Sequence, residues 1–322
     1  MTQDRAQVVP ELPDGVKTAV TVGTFDGVHR GHLAILEQLC TAAAERDLRA
    51  MVITFDPHPR QVLQPESDIR LLTSTAVKLK LLAEAGIDFT AVLAFSREFS
   101  RVSAERFVID YLIGRFNMGC LVMGHDHAFG KDRAGGEKVL TGLSKVYDFD
   151  LIKVPPVISD SRPVSSSWVR KAIEDGHMQQ AAGLLNRFFT ISGKVVRGAG
   201  RGKGLGHPTA NLRPLEPGKE LFPHGIYAAA VDLGGKMMPG ALHFGPRPTF
   251  GEEESTLELN LFDFHGDLYG RTLEVAIVER IRPIMDFSSA EELVRQMDRD
   301  DEDIRKVFER IGPQVNPVSH AV

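Results

Sequence analysis

The feature that most narrows the fold of this chain is a change of pattern near residue 187. Before it, short apolar runs alternate with helical ones. After it, strand pattern follows strand pattern. Upstream, Thr18–Gly23, Ala50–Phe55, Phe89–Phe95, Cys120–Gly124 and Leu151–Val154 are compact apolar runs. Amphipathic stretches at Leu33–Glu45, Val77–Ala85 and Ala104–Phe116 lie among them. Short strands alternating with helices imply βαβ units, a parallel sheet and right-handed crossovers. A Rossmann-like, doubly wound α/β domain is therefore predicted for residues 15–155.

Downstream, helical stretches at Ser165–Glu174 and Met178–Leu185 lead into five strand candidates. These are Thr190–Arg197, Gly225–Leu233, Met237–Phe244, Leu257–Phe264 and Thr272–Arg280. Gly234-Gly235 between two of them is a hairpin signal. Phe287-Ser288-Ser289 then opens a last amphipathic helix, Ala290–Phe308. Strands joined by turns alone predict a small antiparallel barrel, here closed by a C-terminal helix. The boundary is placed at Asn186–Arg187, giving domains 1–186 and 187–322. The 322 residues suit two domains of roughly 100–200 residues each.

Composition excludes several classes. At 43% hydrophobic and 25% charged the chain can bury a core in each half, unlike a disordered, collagenous or coiled-coil sequence. A net charge of −5 argues against a nucleic-acid protein held by overall basicity, but leaves room for a local phosphate pocket. Cys40 and Cys120 lie in apolar segments without a CxxC pairing, which fits a reducing compartment. The first twenty residues carry Asp4, Glu11 and Asp14 and no apolar centre, so no secretory signal is expected. No apolar run approaches the ~18–20 residues that cross a bilayer. The expectation is a cytoplasmic protein with no membrane or nucleic-acid partner; whether it forms a homo-oligomer is left open.

The most informative segment is Gly23-Thr24-Phe25-Asp26-Gly27-Val28-His29-Arg30-Gly31-His32, running from a strand into a helix. In an open parallel sheet, ligands bind beyond the carboxyl ends of the strands. A helix N-terminus there offers free N–H groups and a positive dipole to phosphate. Two histidines three apart can bring both rings to the same phosphates, with Gly31 permitting close approach. The chemistry that fits is attack on an α-phosphate with pyrophosphate departing, which needs alignment and charge neutralisation more than a covalent nucleophile.

This segment resembles the signature of HxGH nucleotidyltransferases. Over roughly residues 17–308 the chain is similar to bacterial bifunctional riboflavin kinase/FAD synthetases. The resemblance is carried also by Phe55-Asp56-Pro57-His58-Pro59, Gly124–Gly130 with Arg133 and Gly135, and Val164–Arg170. In the second half it rests on Gly204–Asn211, Arg247-Pro248-Thr249-Phe250 and Phe262–Gly270. It implies riboflavin, FMN and ATP as substrates, with Mg²⁺ as cofactor.

In that light His29 and His32 are the catalytic candidates of the first half. Gly23, Phe25, Asp26, Gly31, Asp126 and Arg133 are candidate nucleotide contacts. Ser165, Ser166 and Ser167 open a helix whose hydroxyls can cap it or reach phosphate. Arg170, one turn later, can neutralise pyrophosphate. Pro57, His58 and Pro59 are candidates for the flavin side, although Pro-His-Pro also reads as a rigid turn.

In the second half, Gly198–Gly206 alternates glycine with other residues but matches neither a Walker A loop nor a dinucleotide fingerprint. Gly202, Lys203 and Gly204 still suit a loop wrapping phosphates. Thr209 and Asn211, two apart on an extended segment, offer oxygen ligands on one side, as a hard cation such as Mg²⁺ prefers. The resemblance makes them the metal motif and Glu258 the base for the ribityl hydroxyl. Some positions depart from the family pattern: His207 and His127 stand where phenylalanine is usual, and His243-Phe244-Gly245 and Asn186-Arg187-Phe188 also differ. The spacing of His207, His224, His243 and His265 follows no zinc motif.

Overall fold

A computed structural model describes residues 7–67, 69–125, 130, 135–198, 207–215, 222–247 and 252–312. The chain divides into two compact units, Met1–Ser166 and Ser167–Val322.

The first unit is built on one parallel sheet. Its strands are β1 (Gln7–Val8), β2 (Thr18–Val22), β3 (Arg49–Asp56), β4 (Phe89–Ala94), β5 (Met118–Gly124) and β6 (Asp150–Val154), in the order β1-β4-β3-β2-β5-β6. Helices α1 (Arg30–Glu45), α2 (Pro59–Leu63), α3 (Thr75–Glu84), α4 (Ala104–Arg106) and α5 (Glu137–Tyr147) lie between them. A π-helical turn, Phe107–Ile113, continues α4. Successive side chains of a strand face opposite ways, and here the two faces are covered separately. Ala50 and Val52 of β3 pack with Leu36 and Leu39 of α1 and with Leu81 and Leu82 of α3. Met51 and Ile53 pack with Phe107, Val108 and Leu112 beyond α4 and with Leu140 of α5. The doubly wound architecture is thus present. From β2 the chain first steps to β3 and β4, then returns to the other side of β2 with β5 and β6. The reversal between β2 and β5 is the switch point where such sheets open a crevice.

The short antiparallel pair β7 (Ile158–Ser159) and β8 (Arg162–Pro163) follows. The boundary between the units falls at the first residue of α6 (Ser166–Glu174), and α7 (Met178–Leu185) follows it. Strands β9 (Phe189–Val196), β10 (Ala210–Pro214), β11 (Gly225–Asp232), β12 (Met237–Arg247), β13 (Glu252–Leu261) and β14 (Thr272–Arg282) close into a barrel of order β10-β13-β12-β11-β14-β9. Every pairing in it is antiparallel. Helix α8 (Ala290–Ile311) lays Ile304 and Val307 against Ala228, Phe262 and Val278 on the outside of the barrel. In the barrel, β13 and β10 differ from the sequence expectation. β13 starts at Glu252 and stops at Leu261, because Asp263 turns the chain with a φ of 56°. β10, five residues between Pro208 and Leu215, is a full barrel member rather than an isolated extended segment.

Candidate active sites

The segment that links β2 to α1 sits at the switch point, and its backbone is held in an uncommon shape. Phe25, Gly27 and Val28 have φ of 48°, 83° and 39°. For the two non-glycine residues that left-handed conformation costs ~1–3 kcal/mol each, and it persists only where the surroundings enforce it. Phe25 and Val28 are both buried. The Asp26 carboxylate is buried too, and its Oδ1 accepts the backbone N–H groups of Leu72 at 2.8 Å and Thr73 at 3.2 Å. Ser166 Oγ donates to the Asp26 carbonyl at 2.8 Å. Asp26 therefore shapes the loop.

That shape delivers the histidines. His29 is the N-cap of α1, its Nδ1 accepting the His32 backbone N–H at 3.4 Å. In the neutral ring the proton then sits on Nε2, which makes that nitrogen the ring's donor. The His29 and His32 rings stack with centroids 3.7 Å apart, and Phe25 lies 5.0 Å from His32. Gly31 has its place because a Cβ there would stand 3.2 Å from the His29 ring and 3.4 Å from the Val164 carbonyl. The structure thus brings Phe25, Asp26, His29, Gly31, His32 and Ser166 together, with Gly23 at the end of β2. Arg170 lies in the second turn of α6, and Ser165 immediately precedes that helix. His58 caps α2, accepting the Arg60 N–H on Nδ1 at 3.1 Å, while Gln61 Oε1 accepts the His58 N–H at 3.2 Å. Asp126 and Arg133 fall outside the described residues, as do Gly202, Lys203 and Gly204.

In the barrel, register does what sequence distance hides. Asn211 of β10 is directly opposite Glu258 of β13, and His243 of β12 faces Glu258 from the other side. Thr209 Oγ1 donates to Glu258 Oε2 at 3.3 Å. Asn211 also lies against Gly198, where a Cβ would come within 2.0 Å of its amide nitrogen. A hydroxyl, an amide and a carboxylate meet here, an oxygen-rich donor set that suits a hard divalent cation rather than a soft one. His207 is not on this cluster. Its ring is nearly buried and sits between two carboxylates of α8, with Nε2 3.2 Å from Asp298 Oδ1 and Nδ1 3.3 Å from Asp301 Oδ2. Burial holds the Asp301 carboxyl above its usual range, an effect the facing imidazole opposes. A phenylalanine could occupy that space but could not make these contacts.

Residues 13–168 match the FAD synthetase family and residues 185–308 the riboflavin kinase family. The bifunctional riboflavin kinase/FMN adenylyltransferase of Escherichia coli K12 is 36% identical over 291 residues, 90% of this chain and 92% of that one. The chain belongs to this bifunctional family. The relative from Listeria monocytogenes is 33% identical over 301 residues, 92% of this chain and 94% of its own length. A crystal structure titled as a macrolide-efflux protein from Streptococcus pneumoniae shares the fold, with a TM-score of 0.83 and 31% identity over 93% of this chain and 98% of that one. No helix among the described residues is long and apolar enough to cross a membrane.

Sequence reasoning missed the groups that hold the first loop in place. Lys78 and Thr73 belong to the approach and first turn of α3, and Thr54 to β3. In sequence nothing local separates Lys78 from Lys80, two positions on. The carboxylate partners of His207 lie 91 and more residues away and left no local signal either.

Proposed function

We propose that this chain makes FAD from riboflavin in two ATP-dependent steps carried by its two halves. The second half transfers the γ-phosphoryl of ATP to the ribityl 5′-hydroxyl of riboflavin, giving FMN and ADP. The first half transfers the adenylyl group of a second ATP to the FMN phosphate, giving FAD and pyrophosphate. Family membership supports both steps. The observation that carries the site assignment is the pair of constellations: stacked His29 and His32 at the switch point, and Asn211 in register with Glu258 across two barrel strands with Thr209 bonded to that carboxylate.

In the adenylylation step an FMN phosphate oxygen attacks the α-phosphorus while the bond to pyrophosphate breaks. His29 Nε2–H and the first-turn N–H groups of α1 stabilise charge on the phosphate oxygens, with His32 stacked behind. Ser165, Ser166, Ser167 and Arg170 receive the pyrophosphate side. In the kinase step Glu258 takes the hydroxyl proton as the oxygen attacks the γ-phosphorus. Its Oε2 accepts from Thr209, which keeps the carboxylate oriented. Thr209 and Asn211 would hold Mg²⁺, which when bound neutralises phosphate charge. Asp126, Arg133, Gly202, Lys203 and Gly204 complete the nucleotide contacts in this reading, and Pro57, His58 and Pro59 the flavin side. The functional boundary is placed at Asn186–Arg187; support comes from α7 ending at Leu185 and the kinase match beginning at residue 185. A cytoplasmic location accords with Cys40 and Cys120 forming no disulfide.

The test uses two variants. His29→Ala with His32→Ala should convert riboflavin to FMN and stop, losing about 10²–10³ in adenylylation rate. Glu258→Ala should fail on riboflavin by about 10²–10⁴ yet convert supplied FMN to FAD. Loss of both activities in either folded variant refutes the assignment.

A further inference from the structure

We propose that Lys78 is a positioning residue for adenylylation, latching the loop that presents His29 and His32 to helix α3. The proposal rests on the assignment of that reaction to the first half. Lys78 is buried, 6% exposed, in a helix whose neighbouring lysine faces outward as lysines normally do. Its Nζ donates to the Thr24 carbonyl at 3.1 Å and to Thr54 Oγ1 at 3.0 Å. Thr54 Oγ1 in turn donates to the same Thr24 carbonyl at 3.2 Å. Thr24 is the residue before the first left-handed position of the loop, so the ammonium fixes the point where the unusual backbone begins.

The rest of the loop is tied to the same segment. Thr73 Oγ1 accepts the Gly27 N–H at 3.1 Å, and the Leu72 and Thr73 N–H groups hold Asp26. The segment is itself anchored, because Ser74 caps α3 and Thr75 Oγ1 donates to Asp56 Oδ2 at 2.8 Å at the end of β3. Thr24, Asp26 and Gly27 are thus each held from Leu72–Lys78, and the positive φ values at Phe25, Gly27 and Val28 fall among them. Without the latch a loop with two left-handed non-glycine residues relaxes toward ordinary backbone angles. The His29 cap and the ring stack built on it would then lose their geometry. Misplacement of this kind lowers turnover more than binding, since alignment is what the site supplies. The Lys78 charge, desolvated beneath the loop, also adds positive potential where the triphosphate is received.

The experiment uses the full chain with Lys78→Met, which keeps length and apolar bulk but removes the ammonium. The kcat for FMN to FAD should fall about 10- to 100-fold while KM for FMN stays within about twofold. The riboflavin kinase rate should be unchanged. Hydrogen exchange read by mass spectrometry should show amides of residues 23–33 exchanging about tenfold faster or more, with α5 as before. A merely structural role would loosen the whole unit or nothing. Adenylylation within about twofold of wild type, or unchanged exchange in residues 23–33, overturns the proposal. Should Lys78→Met not fold, Thr73→Val and Thr54→Val carry the test: each must loosen residues 23–33 selectively and lower kcat at least about threefold, or the latch is wrong. The double alanine variant of His29 and His32 separates the two failures. If it still makes FAD, the site assignment falls; if it is inactive while the Lys78 variant is normal, the latch alone falls.

Discussion

Asp300→Ala should be among the most damaging single changes in the barrel half. Asp300 lies on α8 with its side chain 5% exposed, and Arg282 of β14 is 13% exposed beside it. The guanidinium grips the carboxylate from Nε at 2.8 and 3.0 Å and from Nη2 at 2.7 Å. Gln296 adds a fourth contact at 2.9 Å. Arg282 Nη1 donates to the Pro283 carbonyl at 3.0 Å, and the guanidinium lies over the Phe287 ring at 5.8 Å. Removing the carboxylate leaves that cation desolvated and stripped of its counter-charge, which costs about 3–5 kcal/mol. In a unit of this size each kcal/mol moves Tm by about 2–4 °C, so the melting transition of the second half should drop by about 6–20 °C. Replacing both partners, Arg282→Met with Asp300→Leu, should recover most of the loss, because an apolar pair can take the place of a buried ion pair at little net cost. Calorimetry on the full chain reads both variants. The functional counterpart is selective: α8 also carries Asp298 and Asp301 to His207, two residues before Thr209, so FMN formation should fail at a lower temperature than FAD formation. A single variant melting within about 3 °C of wild type, or a double variant as unstable as the two singles combined, refutes the reasoning.

Three further outcomes are expected. Excess EDTA should stop both riboflavin phosphorylation and FAD formation from FMN, since both act on triphosphate charge; undiminished FAD synthesis in chelator would count against a metal requirement there. Burial pushes the Cys120 thiol up to about 11, so a thiol reagent at pH 8 should modify Cys40 first and reach Cys120 only on unfolding; two equally fast thiols would contradict this. Burial likewise raises Tyr227 to about 12, where its hydroxyl donates to the Pro223 carbonyl. A raised folded value means that its stabilising share is whole below the unfolded value of 10.0 and is lost as pH climbs through about 12. Ultraviolet titration should therefore show its ionisation coinciding with alkaline unfolding, and Tyr227→Phe should flatten that loss.

The fold was legible where local pattern and tertiary environment agree. The apolar runs of β2, β3 and β5 are strands buried on both faces, and such strands advertise themselves by composition. Helix α5 went unread although Val139, Leu140, Leu143 and Tyr147 recur at helical spacing, because Gly135 and Gly136 precede it and Gly142 interrupts it. The hairpin of β7 and β8 turns on Asp160 and Ser161 with φ of 43° and 61°, a geometry that short polar residues permit without announcing. β10 was read only as an extended segment, because it is five residues long, follows Pro208 and ends on Pro214. Site residues followed the same rule. His29 and His32 were visible because one short segment carries strand end, glycines and helix start together. Lys78, Asp298 and Asp301 were not, because what they do depends on a partner brought close only by folding.

Barrel closure also sets an order of events while the chain is being made. β9 pairs with both β10 and β14, so the ring shuts only once Thr272–Arg282 exists. Until then β9 and β14's other partner, β11, present bare edges, and the strands bearing Asn211 and Glu258 belong to an unfinished sheet. The parallel sheet has no such debt to later sequence, since its last strand ends at Val154. At the ~5–20 residues per second of synthesis, the 116 residues from Ser167 to Arg282 at the end of β14 give the first half some ~6–23 s of its own. A nascent chain is thus ready to handle FMN well before it can make any.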